Sequence, residues 1–308
     1  MTDPAGPAGS AASAARSEPV VLGTPAALRE WRSGQLGSVG FVPTMGALHA
    51  GHGSLIERAR RENDLVVVSI FVNPLQFDDA ADLEAYPRTL ESDLERCRTL
   101  RVDAVFAPSA AALYPRAPEV TVHGGRLGTV LEGASRPGHF DGMLTVVAKL
   151  LHLVAPERAY FGQKDAQQLA LVRAMVADLD LPVTIVAGAT LRDDDGLALS
   201  SRNSRLDAHW RAQARAIPRA VWAAAQASAD GADAARAAAV RVLEESALRV
   251  DYVELVAPET FEPLDPGAAQ GLLLIAAWAG EVRLIDNQLL TFTTAGPDGA
   301  RPQGLGEV

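Results

Sequence analysis

Pro43-Thr44-Met45-Gly46-Ala47-Leu48-His49-Ala50-Gly51-His52 is the stretch on which the reading of this chain turns. It follows the short apolar run Val39 to Val42, and Ser54 to Arg60 after it has a helical composition. A strand therefore opens onto a glycine-containing turn, and a His-x-Gly-His tetrad stands where the next helix begins. Backbone N–H groups at a helix N-terminus lack intrahelical partners and face the positive end of the dipole, so they can seat phosphate. Gly46 and Gly51 allow the backbone to approach an anion closely. His49 and His52, three apart, share one side of the first turn and offer two donors to a phosphorus centre. A His-x-x-His pair by itself is often just two surface histidines, and a zinc site would need more ligands. The single cysteine, Cys97, has no Cys-x-x-Cys partner. With its flanking strand and helix, the tetrad reads as a nucleotide-binding turn.

The surrounding chain supports that frame. Between Val20 and Gly188, β-like runs alternate with helical stretches. The runs are Val39 to Val42, Leu65 to Val72, Ala104 to Phe106, Ala159 to Gly162 and Val183 to Ala187. The helical stretches are Ser54 to Glu62, Thr89 to Leu100, Met143 to Val154 and Gln167 to Leu179. Leu65 to Val72 is apolar almost throughout, as a strand covered on both faces requires. Such alternation predicts a Rossmann-like α/β fold, a parallel sheet with helices on both faces. Ligands of these sheets sit outside the carboxyl ends of the strands. Four polar segments follow the strand-like runs and should converge there: Pro43 to Gly46, Asn73 to Phe77, Phe161 to Asp165 and Arg192 to Asn203.

After Gly188 the character changes. Arg192 to Gly196 reads as a tight turn between short strands. Asp207 to Ser228 and Ala232 to Glu245 are Ala-rich and helical. Asp251 to Leu255 and a hairpin from Leu272 to Ile285, turning at Ala279-Gly280, complete a smaller α+β unit. The expected organisation is a tail over 1–19, a Rossmann-like nucleotide-binding domain over 20–188, a smaller C-terminal α+β domain over 189–294, and a tail over 295–308. Both tails are rich in Ala, Pro, Gly and Ser and read as disordered.

The 308 residues are 48% hydrophobic, enough for a sizeable core. Lys+Arg number 28 against 38 Asp+Glu, a net charge of −10. That balance gives no long-range attraction to nucleic acid or to an anionic membrane. The N-terminus lacks a signal-peptide pattern, and no apolar stretch is long enough to span a bilayer. One cysteine excludes an internal disulfide and fits a reducing cytoplasm.

Several segments together resemble the pantothenate synthetase (pantoate–β-alanine ligase) family, within the nucleotidyltransferase and class I tRNA-synthetase-like superfamily. They are Val42 to His52, Ser69 to Phe77, Tyr86-Pro87-Arg88-Thr89, Arg136-Pro137-Gly138-His139-Phe140, Gly142 to Val147, Phe161-Gly162-Gln163-Lys164-Asp165 with Gln167-Gln168-Leu169, and Leu199-Ser200-Ser201-Arg202-Asn203. They run in the family's order across roughly Val20 to Thr291.

The resemblance implies ATP-dependent joining of (R)-pantoate to β-alanine through a pantoyl adenylate, releasing AMP and pyrophosphate. It implies that the domain over 20–188 binds pantoate as well as nucleotide and that the domain over 189–294 closes over ATP. It implies an ATP site over Met45 to His52, Gly162 to Asp165, Leu191 and Leu199 to Arg202. His52 takes the proton-donor role, with His49 and Lys164 beside it on the phosphates. Ser200, Ser201 and Arg202 stand where the synthetases carry Lys-Met-Ser-Lys-Ser and would wrap the departing pyrophosphate. Gln76 and Gln168 would read pantoate's hydroxyls and carboxylate, since amides both donate and accept. Asn73 should point to phosphate or substrate, and Met45 and Phe77 should wall the gem-dimethyl group. Tyr86, Arg88 and Arg136 are weaker candidates.

Magnesium is expected with ATP, and Asp165, Asp93 and Glu91 could contribute, but the sequence assigns no metal ligand. Two departures from common family patterns stand out: Ala166, which puts local packing in doubt, and Gly53, which should loosen the first helical turn. A homodimer in the cytoplasm is implied. Two rival readings share the histidines. One is a nucleotidylyltransferase acting on a phosphate-bearing acceptor, which would need extra basic residues, and the other is a nucleotide-binding regulatory module.

Overall fold

The computed structural model describes residues 18–77 and 80–292. The expected tails therefore lie, apart from Glu18 and Pro19, outside the described residues, as do the last residues of the expected C-terminal domain. Six strands form one parallel sheet: β1 Val20–Leu22, β2 Val39–Thr44, β3 Leu65–Ile70, β4 Ala104–Phe106, β5 Arg158–Gly162 and β6 Thr184–Gly188. Their order is β1-β4-β3-β2-β5-β6, every pairing parallel. A second, antiparallel sheet orders β7 Arg249–Val256, β8 Gln270–Ala279 and β9 Val282–Thr291 side by side.

Side-chain alternation explains why the first sheet is covered on both faces. Phe41 and Val67 enter one core with the helix His139–Val154. Val42, Val66 and Val68 enter another with the helices Ala50–Glu62 and Leu90–Thr99. The strand order reverses between β2 and β5, and such a switch point opens a crevice at the carboxyl ends of the two strands. Thr44 ends β2 and Gly162 ends β5, so the His-x-Gly-His turn and the Lys164 turn leave the sheet side by side.

The structure corrects several details. The helix expected over Asp207 to Ser228 is two, Ala208–Ala214 and Ala216–Ala227, broken at Arg215. Pro218 has no N–H to give the Ala214 carbonyl, so the ladder is interrupted there. Around Arg192–Gly196 there is one antiparallel bridge, Arg192 to Ala198, instead of two strands. Gly53 does not loosen its turn, since its N–H closes onto the His49 carbonyl at 3.0 Å. The edge strand β1 and the helix Pro25–Ser33 were not anticipated, because β1 is three residues long with Val20 and Val21 half exposed.

A polar junction ties the second sheet to the short helix Glu132–Ser135. Glu132 accepts two hydrogen bonds from Arg283 on β9, at 2.6 and 2.7 Å, and one from the Tyr252 hydroxyl at 2.6 Å. Among the described residues no helix is long and apolar enough to cross a membrane.

Candidate active site

The helix Ala50–Glu62 starts on a cap made by its own histidines. His49 is the N-cap residue, and its Nδ1 accepts from the Gly51 N–H at 3.1 Å. The Nδ1 of His52 accepts from the His49 N–H at 3.3 Å. An Nδ1 that accepts is unprotonated, so each neutral ring carries its proton on Nε2. Burial, followed by the charges of Lys164 and Arg96, lowers the His49 pKa below its usual value. Burial, then the neighbouring His49, pushes His52 down to about 3. Both rings line the cavity as neutral donors. A Cβ on residue 51 would lie 2.8 Å from His49 Cε1, so Gly51 makes room for that ring.

The turn before the cap is closed differently from expectation. The N–H groups of Ala47 and Leu48 donate to the Asp93 carboxylate at 3.0 and 2.7 Å, and the Thr89 hydroxyl donates to it at 3.1 Å. Asp93 is only 2% exposed. A protein carboxylate thus takes the N–H groups of Ala47 and Leu48, two residues that the resemblance placed in the ATP site, and Gly46, at φ +85°, packs beside it. Leu48 belongs to the core. Asp93 is consequently withdrawn as a magnesium ligand.

Around the crevice, a cavity of roughly 230 Å³ collects much of the expected constellation. Met45, His49, Gly51 and His52 line it from the β2 side, and Gly162, Lys164 and Asp165 from the β5 side. Leu191, Leu199, Ser200, Ser201 and Arg202 close it from the following loop, and Gln76 and Gln168 face it as well. Gly46, Ala47, Leu48, Ala50, Gln163, Asn73 and Phe77 are not among its lining residues. Phe77 instead packs edge-on against Tyr86, which does line the cavity. Arg88 directs its guanidinium to the carbonyls of Leu83, Glu84 and Tyr86.

Asn73 has a different task from the one expected. Its Nδ2 donates to Gln76 Oε1 and to the Gly142 carbonyl, both at 3.0 Å. Its Oδ1 accepts from the Leu75 N–H and the Tyr114 hydroxyl. It is therefore a buried clamp on Gln76. The clamp needs Gly142, where a Cβ would sit 2.0 Å from the Leu75 carbonyl oxygen. Of the tandem glutamines, Gln167 is buried on the carbonyls of Leu127 and Val130, leaving Gln168 to the cavity.

Lys164 is supported from the other sheet. Asn287 on β9 donates to the carbonyls of Gln163 and Lys164 at 3.0 and 2.8 Å. Asp286 beside it is held bidentate by Arg192 at 2.6 and 3.0 Å, which anchors the loop leading to Ser200. Ser200 Oγ accepts from the Arg202 N–H at 3.2 Å and keeps its own O–H to donate. Asp165 lies on the cavity wall. Desolvation raises its pKa, but Lys164 and Arg202 outweigh that and hold the carboxyl below its ordinary value.

Sequence reasoning missed the apolar wall supplied by Met143, Val146, Val147 and Leu150, since an almost wholly apolar helix looks like core. It also gave His139 no role, although the Arg136-to-Phe140 run was the available signal.

Comparison with known proteins supplies the family. The family described as pantoate-beta-alanine ligase matches residues 20–289. A pantothenate synthetase from Acidothermus cellulolyticus is 53% identical over 277 residues, covering 88% of this chain and 91% of that one. One from Thermobifida fusca is 52% identical, covering 90% and 97%. The crystal structure of a Thermus thermophilus pantothenate synthetase superposes with a TM-score of 0.83 at 46% identity, covering 87% of this chain and 98% of that one. The Francisella tularensis pantoate-beta-alanine ligase, complexed with beta-gamma ATP and beta-alanine, gives 0.74 at 35%, covering 88% and 97%. The chain belongs to the pantoate–β-alanine ligase family.

Proposed function

We propose that the crevice between β2 and β5 is where this ligase joins (R)-pantoate to β-alanine, and that the residues gathered there divide the work as follows. The observation that carries the assignment is the meeting of the paired histidines, the Lys164 turn and the Ser200-Ser201-Arg202 loop around one cavity, with Gln76 and Gln168 on its wall. The pantoate carboxylate attacks the α-phosphorus of ATP, pyrophosphate leaves, and the β-alanine amine then displaces AMP from the pantoyl adenylate. Catalysis is positioning and charge stabilisation, with no protein nucleophile. His49 and His52 donate through Nε2–H to phosphate oxygens. Neutral rings suit this, because a donor that keeps its proton stabilises charge throughout the step. Lys164 and Arg202 neutralise the phosphates, Ser200 and Ser201 donate hydroxyls to them, and the glutamines read pantoate.

ATP is expected as its magnesium complex, the ion offsetting phosphate charge. Asp165 is the carboxylate among the cavity's lining residues, and the described residues contain no cluster of three potential ligands. Such a donor set fits an ion held largely by phosphate oxygens and water. A cytoplasmic homodimer is part of the same reading, supported by the resemblance and the composition. Sedimentation of a monomer at micromolar concentration would count against the dimer.

The test is exchange of labelled pyrophosphate into ATP by the purified enzyme with magnesium. Exchange should require pantoate and proceed without β-alanine. A nucleotidylyltransferase acting on a phosphate acceptor would show no pantoate dependence, and a regulatory module no exchange. Exchange indifferent to pantoate overturns the assignment.

A further inference from the structure

Three neighbouring cavities share three cations on their walls, Arg136, Lys164 and Arg202. One is the 230 Å³ cavity described above, and the largest of the three, about 520 Å³, is lined by Glu132 and Arg283 of the junction and by further β9 residues. Arg136 is held in place by a specific histidine. His139 Nδ1 donates to the Gln76 carbonyl at 2.9 Å, so its Nε2 is left as the acceptor for Arg136 Nη1 at 3.2 Å. Arg136 Nη2 reaches the same Gln76 carbonyl at 3.4 Å. Burial, followed by the charge of Arg136, pushes the His139 pKa down to about 4, consistent with a neutral ring that can accept.

We propose that Arg136 is a third cation on the departing pyrophosphate, and that His139 is the positioning residue that aims its guanidinium. The inference rests on the ligase reading of the cavity. In the first half-reaction an oxygen of the pantoate carboxylate bonds to the α-phosphorus and the Pα–O bond to the bridging oxygen breaks. That electron pair stays with the β-phosphate, so negative charge grows on pyrophosphate as it separates. A planar guanidinium meets such oxygens with two parallel donors, which Lys164 alone does not. The aminolysis that follows takes place after pyrophosphate has gone, so Arg136 has no part in it.

This asymmetry supplies the experiment. In the full-length enzyme with magnesium, ATP and pantoate, rapid-quench measurement of R136Q should show adenylate formation slowed on the order of 10- to 100-fold, the loss of a hydrogen bond to a charged group. Product inhibition by pyrophosphate should weaken alongside. Pantoyl adenylate supplied directly should react with β-alanine at the wild-type rate. H139L should reproduce that split, H139Q should retain most of the activity through its carboxamide oxygen, and R136Q/H139L should be no worse than R136Q alone. If R136Q fails to fold, R136K should give the same split at smaller size. Equal loss in both half-reactions would mean a structural role, and unchanged pyrophosphate inhibition would mean no contact; either result overturns the proposal. If the wild-type enzyme lacks pantoate-dependent exchange, the ligase reading itself has failed.

Discussion

The paired histidines and Lys164 face the same cavity but are held in opposite ways. His49 and His52 are fixed by backbone N–H groups within three residues of themselves. The Lys164 turn is fixed by Asn287, 123 residues further along the chain. One support forms with the helix itself, while the other exists only when the antiparallel sheet docks on the parallel one. The placement of Lys164 is therefore tied to the packing of the two sheets, and the histidine cap is not.

The largest effect should come from the locally held side. His52→Ala removes a donor aimed at developing charge, and adenylation should fall roughly 100- to 1,000-fold, or about 2.7–4 kcal/mol of barrier. ATP affinity should change far less. Single-turnover kinetics measures it, and near-normal adenylate formation would remove His52 from the site.

Asp93→Asn probes the turn beneath that cap. Its amide offers one acceptor where the carboxylate accepts from Ala47, Leu48 and Thr89, so a buried donor loses its partner. Stability should drop by about 1–3 kcal/mol, read from urea unfolding. A variant as stable as the parent would mean that the turn does not depend on its internal anion.

Acid should expose the cost of burying neutral imidazoles. His52 and His139 are pushed down to about 3 and about 4 from an ordinary value of 6.5. Between those limits the unfolded chain binds more protons than the folded one. Their contribution is complete above pH 6.5 and is lost as pH falls towards 4, with a slope of up to about 1.4 kcal/mol per pH unit for each group. Urea midpoints across that window should show the slope, and His52→Gln should make it shallower. An unchanged slope in that variant would place the acid sensitivity elsewhere.

The smallest effect should be Asn287→Ala, which removes two hydrogen bonds from the Lys164 turn. A neutral hydrogen bond contributes about 0.5–1.5 kcal/mol, so KM for ATP should rise a few-fold while pantoate binding holds. If ATP kinetics did not change, Lys164 would be positioned without help from the second sheet, and the contrast between the two supports would fail.

Much of this was legible in the chain. The alternation of apolar runs and helices, the switch-point segments and the identities of His49, His52, Lys164, Gln76 and Gln168 could all be read from residue type, spacing and family resemblance. Asn73, read as pointing to phosphate or substrate, and Asp93, read as a possible magnesium contributor, turn instead to protein groups. A buried amide or carboxylate looks the same in sequence whether it meets ligand or backbone, and only the fold shows which groups surround it. The break at Arg215 left a trace in Pro218, but the trace competed with strong helical composition on either side.

The sequence by itself determined the doubly covered parallel sheet, because patterning and turn chemistry act over a few residues. It also determined which polar segments leave the carboxyl ends of the strands. Only the tertiary structure decided which of those residues face the cavity. Asp93 takes the turn's N–H groups, Asn73 fixes Gln76, and Asn287 reaches across from β9 to Lys164. The physical reason is that hydrogen bonds between distant segments depend on distances that no local pattern encodes.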